Sequence, residues 1–169
     1  IWNKNAPADP SKVEAKDFGT ALHTAILEPH LFDELVLVSS VKGRETKTFQ
    51  QEVIDNPDKI VLTEIEAEKV RIMKTSAMAH PCFSKVINNS ELNEVSIFAH
   101  DNSRGIDLKI RPDIDCVEKY GFIGDVKTTA LISDWRDPTP WKNPLVKLNY
   151  GHTAAFYLHT ASLHYGFDV

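Results

Sequence analysis

Two aspartates and a lysine in the second half of the chain have the residue types of a divalent-metal hydrolase. An Arg-Pro-Asp run occupies 111–113, and Asp-Val-Lys follows at 125–127, with eleven residues between Asp113 and Asp125. On an extended strand alternate side chains share a face, so Asp125 and Lys127 project together while Val126 turns to the core. If the preceding strand is its antiparallel neighbour, Asp113 comes to lie beside Asp125. Two carboxylates and the intervening carbonyl of Val126 make a hard oxygen site suited to Mg²⁺ or Mn²⁺. A lysine two positions on could orient a water or stabilise charge developing on a phosphate. A metal held between carboxylates and phosphate polarises the P–O bond and eases the formation of hydroxide.

Residue types alone leave this open. An isolated Asp-x-Lys is more often structural than catalytic, and a chain with 24 acidic residues readily places an aspartate on each of two neighbouring strands. The place of this one is less ordinary, where an apolar strand ends in charge next to an Arg-Pro-Asp turn. His23, alone on a helix near Gly19, reads first as a packing residue, because imidazole is a softer ligand than carboxylate. Glu94 alone reads as solvent-facing. Arg111 stands open between a phosphate contact and pairing with a nearby carboxylate.

The elements that must position these residues follow from periodicity. The first fifteen residues read as irregular. Residues 17–28 form a helix with Phe18, Leu22 and Ala25 inward, ended by Pro29. Residues 34–41 are strand-like, and the polar run after them leads into a short helix. At Thr63 a capping box is predicted, Thr63 with Glu66, opening a helix whose inward stripe is Ala67, Val70, Met73 and Ala77. Pro81 closes that helix near His80, and a short helix covers 82–88. From Glu94 the period becomes alternating. The segments EVSIFAH, RGIDLKIRPD and YGFIGDVKT are three candidate strands, the second with Ile106, Leu108 and Ile110 on one face. The stretch 134–149, with three prolines and two tryptophans, reads as a loop, and 150–165 as a helix. Helices before and after a run of strands indicate an α/β or α+β sandwich.

Composition narrows the classes. The 169 residues suit one domain spanning 1–169, and 42% hydrophobic content is that of a globular protein. No apolar run approaches the roughly 18 to 20 residues that span a bilayer. The start does not read as a signal peptide, and two cysteines are no disulfide framework, so cytoplasmic chemistry is expected. A formal net charge of -5 argues against coating nucleic acid through bulk charge. It suits an enzyme whose acids gather around metal and whose basic path for phosphates is local.

The chain as a whole resembles the PD-(D/E)xK nuclease domain of the exodeoxyribonuclease VIII (RecE-type) family. The similarity runs through WNKNAP at 2–7, DFGTALHTAILEP at 17–29 and LTEIEAEKV at 62–70. It continues in NEVSIFAHD at 93–101, RGIDLKIRPD at 104–113, IGDVKTTA at 123–130 and the region from Tyr150 to Tyr157. The resemblance implies a restriction-endonuclease-like core, a central mixed sheet flanked by helices. It also implies Mg²⁺-dependent 5′ to 3′ digestion of linear double-stranded DNA, with Mn²⁺ as a substitute. Such enzymes leave 3′ single-stranded tails for a single-strand annealing recombination protein, and related ones form homo-oligomeric rings through which DNA threads.

Carried onto matching positions, His23 resembles the helix histidine that helps bind metal, and Asp113 and Asp125 the two metal-binding carboxylates. The Val126 carbonyl would add a ligand, and Lys127 resembles the catalytic lysine beside the attacking water. Glu94 matches the acidic position on the first core strand, where a second metal is held directly or through water. Tyr150 and Tyr157 fit a Tyr-x-x-Gln-x-x-x-Tyr pattern that meets the DNA strand, but Thr153 stands at the glutamine position. A threonine hydroxyl does not reproduce an amide that both donates and accepts at that reach. The resemblance further implies segments beyond both ends of this chain. Two other readings stand beside the exonuclease. One is an endonuclease or single-strand nuclease on the same core. The other is a catalytically weak prophage remnant that binds DNA or a recombination partner.

Overall fold

The computed structural model describes residues 10–90, 92–129 and 142–169. The chain divides into two compact units, Ile1–Val86 and Ile87–Val169. Both mix helix and strand, and no helix among the described residues is long and apolar enough to cross a membrane.

In the first unit, helix α1 spans Pro10–Leu27 and carries a run of buried residues, Ala21, Leu22, Ala25, Ile26 and Leu27. It starts earlier than periodicity indicated. Residues 10–15 are helical instead of irregular, because the sequence PSKVEA is too polar to show an apolar stripe. Pro29 does end it, opening a 3-10 turn at Pro29–Leu31. The expected strand at 34–41 forms only over its middle three residues. Helix α2 takes Phe32–Leu35, leaving β1 at Val36–Val38. Helix α3 (Lys47–Asp55) follows, then β2 (Ile60–Leu62), a strand too short to show a period and missed in the sequence. β1 and β2 pair in parallel, with Leu37 opposite Val61.

Helix α4 (Glu64–Ala79) begins as its sequence indicated. The Thr63 side chain accepts from the Glu66 amide at 3.3 Å, and the Glu66 carboxylate accepts from the Thr63 amide at 2.9 Å. Glu66 also accepts from Arg44 Nε at 2.8 Å, and Arg44 reaches Asp17 on α1 at 3.2 Å. The cap therefore doubles as a tie between α4, α1 and the loop before α3. Burial pushes the Glu66 carboxyl up, but the hydrogen bonds from Arg44 and Thr63 outweigh it and hold the group below the ordinary glutamate value. Of the expected stripe Val70 is buried and Ala67 and Ala77 half-buried, whereas Met73 is exposed. Helix α5 (Pro81–Asn89) follows at the proline.

The second unit opens with β3 (Leu92–Asn93), then the hairpin β4 (Ile97–Asp101) and β5 (Ile106–Ile110). Its turn is organised by Asp101, whose carboxylate accepts from the Ser103 amide and hydroxyl, from Arg104 and from His159. Those donors, the Ser103 hydroxyl first, hold Asp101 well below the usual carboxylate range. Leu108 and Ile110 are buried as their spacing indicated, while Ile106 at the strand's end is exposed. The spacer between the two acidic motifs holds β6 (Ile114–Cys116) and the single turn α6 (Val117–Tyr120), neither of which was anticipated. Gly121, at φ 70°, ends α6 in the left-handed conformation and returns the chain into β7 (Phe122–Gly124).

Where one central mixed sheet was expected, the described strands form three small sheets. These are parallel β1-β2, antiparallel β3-β6-β7 and antiparallel β4-β5. Helix α7 (Lys142–Lys147) occupies part of the expected loop at 134–149, whose residues 134–141 lie outside the described residues. Helix α8 (Tyr150–Tyr165) has the limits its sequence indicated. It packs on β4 and β5 around Ile97, Ile110 and Ala161, with Ile123, Tyr157 and Tyr165 against them.

Candidate functional site

β6 runs antiparallel to β7 with Ile114 opposite Gly124 as the end pair, and Asp113 and Asp125 flank that pair on their two segments. The partner of β7 is therefore β6, in the spacer, and not the RGIDLKIRPD strand, which pairs with β4. Gly124 allows the close pairing, since a Cβ there would stand 3.3 Å from two side-chain carbons of Ile114. One element differs from expectation. β7 ends at Gly124, so Asp125, Val126 and Lys127 follow the strand and do not sit in it. Without strict alternation, the Val126 amide turns toward Asp113 and donates to its Oδ2.

Asp113 is buried, and its neighbour Pro112 is among the most deeply buried side chains. A buried carboxylate costs free energy unless it is hydrogen-bonded, paired or bound to metal. Asp125 Oδ2 pairs with Lys127 Nζ. Burial pulls the Lys127 ammonium down, but the Asp125 hydrogen bond and the charges of Asp125 and Asp113 prevail, raising it above the ordinary lysine value. Lys127 is thus a cation and a proton donor, and not a base. Tyr157 donates to the Arg111 carbonyl at 3.3 Å. Burial first, and the Asp125 charge second, raise its phenol above the ordinary value, so it too keeps its proton.

Glu94 does not lie on a strand. It sits in the bend after β3 with φ 58°, one of two described non-glycine residues at positive φ. Its amide donates to the Asp113 carbonyl at 3.2 Å. Arg111 Nε donates to the Glu94 carbonyl at 2.8 Å and lies 2.9 Å from Glu94 Oε2. Of the two roles open to Arg111, the structure shows the carboxylate pair. Nothing in the sequence marks this contact, because it joins residues 17 apart through a bend that no glycine announces.

His23 is half-buried on α1, in the first unit. Within the second unit, Glu94 and Asp113 offer carboxylate oxygens within 4.8 Å of one another, close enough to share a cation. On α8, Tyr150 is half-buried and Thr153 exposed, and Tyr157 packs into the core of the second unit. His152 is exposed, while His159 is engaged by Asp101 at 3.1 Å. The motif at 2–7 and the last residue of IGDVKTTA, Ala130, lie outside the described residues. Comparison with protein-family models finds no match to this chain, and comparison with curated proteins finds none either.

Proposed function

We propose that this chain is a metal-dependent nuclease of the restriction-endonuclease-like kind, hydrolysing linear double-stranded DNA from its ends in the 5′ to 3′ direction. The observation that supports this reading is the pairing of β6 with β7, whose end pair, Ile114 with Gly124, is flanked by Asp113 and Asp125, with Lys127 paired to Asp125. The choice of DNA ends, the polarity, the annealing partner and a ring of subunits rest on the resemblance to the exodeoxyribonuclease VIII family. Asp113, Asp125 and the Val126 carbonyl would hold a divalent ion, with Glu94 as a further carboxylate donor; the part of His23 rests on the resemblance alone. Mostly hard oxygens with one imidazole fit Mg²⁺, with Mn²⁺ a ready substitute. Such an ion supplies Lewis-acid polarisation of a phosphodiester and neutralises charge.

The remaining work falls to side chains. Lys127, protonated and tethered by Asp125, can donate to an attacking water's oxygen or to a non-bridging phosphate oxygen as charge builds there. Tyr157 retains its proton and fixes the Arg111 carbonyl, which steadies the segment leading into Asp113. The attack is by water, and no covalent enzyme intermediate is required.

Incubating linear and covalently closed circular DNA of one sequence with the chain and Mg²⁺ tests this reading. Loss of the linear form alone is the expected result. Cleavage of the circle would make the chain an endonuclease on the same core. Intact DNA of both kinds, with retained binding, would leave a DNA-binding remnant.

A further inference from the structure

Glu94 is the least comfortable backbone position in the second unit's acidic region. A φ of 58° is favourable for glycine and, to a lesser degree, asparagine, but not for glutamate, whose Cβ crowds the backbone there. Conformations of this kind persist where surrounding contacts over-determine them, and they gather at functional sites. Three contacts from one short segment do so here. The Glu94 amide donates to the Asp113 carbonyl, and Arg111 Nε meets both the carbonyl and the carboxylate of Glu94. Pro112, buried between those two residues, fixes the spacing of the clamp. Tyr157 holds the clamp from behind, at the Arg111 carbonyl.

The exposure of the pair is unequal. The Arg111 side chain is 55% exposed, whereas that of Glu94 is 19% exposed. The guanidinium stands toward solvent and the carboxylate is turned in. A pair this exposed adds little stability by itself, so stability does not explain why the chain holds a glutamate in this conformation.

We infer that Arg111 is a positioning residue: it fixes the Glu94 carboxylate as a donor on the Asp113 side of the metal site, and does not itself serve as a phosphate ligand. The inference rests on the metal-dependent reading above. Partners that orient metal-ligating side chains contribute about 10- to 100-fold in metal affinity. A bystander cation has the opposite effect, since a guanidinium near a divalent ion repels it. The sign of the change on removing Arg111 therefore separates the two roles.

The test is Mn²⁺ binding to the whole chain by isothermal titration, for the unaltered protein, Asp113→Ala, Arg111→Ala and Arg111→Lys. Unfolding midpoints in chelator are recorded alongside. The expected pattern is binding by the unaltered chain and loss in Asp113→Ala. Arg111→Ala should be weakened by about 10- to 100-fold with its chelator midpoint nearly unchanged. Arg111→Lys, which keeps the charge but not the Nε geometry, should stay several-fold weaker than the unaltered chain, by the same argument. Unchanged or tighter binding in both Arg111 variants overturns the positioning role while leaving the metal site standing. A lowered chelator midpoint with unchanged affinity overturns it also, showing a purely structural contact. If the unaltered chain binds no Mn²⁺, the metal-dependent reading and this inference fall together.

Discussion

Glycine at position 94 should separate the stability of this protein from its capacity to bind metal. At φ 58° a side chain costs about 1 to 2 kcal/mol relative to its own favourable conformations, and glycine is free of that cost. Against this stands the pair with Arg111, which at its exposure contributes about 0 to 1 kcal/mol. Glycine's greater freedom in the unfolded chain offsets about 0.5 to 1 kcal/mol of the gain, so Glu94→Gly should lie within about 1.5 kcal/mol of the unaltered chain, on either side. Glu94→Ala loses the same pair but keeps the strained conformation, so it should be less stable than Glu94→Gly by about 1 kcal/mol. Both variants should lose metal affinity alike, because both lack the carboxylate. The assay is urea unfolding in chelator followed by far-ultraviolet circular dichroism, with Mn²⁺ titration of the same samples. An alanine variant as stable as the glycine variant, or more so, would refute the left-handed conformation and with it the clamp that Arg111 is argued to provide.

Replacing Lys127 by alanine should cut DNA hydrolysis by about 100-fold or more while metal binding and most DNA binding persist, since one positioned charge donor is removed; equal losses of binding and hydrolysis would show a structural lysine instead. Glu66 sets a pH dependence of stability. Its folded pKa is lowered from the ordinary 4.5, so its contribution is complete above that value and is lost as pH falls through the lowered one. Glu66→Gln should accordingly give a flatter loss of stability as pH falls through and below 4.5 than the unaltered chain. Parallel curves would place the acid sensitivity elsewhere.

Features written in local chemistry were legible in the sequence. The Thr63–Glu66 box, the breaks at Pro29 and Pro81 and the limits of α8 each depend on residues within a few positions of one another. The strands β4 and β5 announced themselves by alternation, but their pairing with each other did not. What escaped was short or non-local. β2 and β6 have three residues each, too few to show a period, and α6 is a single turn. The strand that pairs with β7 is β6 inside the spacer, because antiparallel register needs only a tight return and Gly121 provides it. The end of β7 at Gly124 and the bend at Glu94 were hidden, since an alternating pattern runs on through Asp-Val-Lys and no glycine or proline stands at the bend. The exposure of Met73 shows that a helical stripe names a face without saying how far along the helix that face is covered.

The most direct measurement is release of label from the 5′ end of a linear duplex, with Mg²⁺ or with chelator, by the unaltered chain and by Asp125→Ala. The account expects release that requires metal and is abolished by the substitution. No release by the folded, unaltered chain at any Mg²⁺ concentration, or equal release by Asp125→Ala, would contradict it.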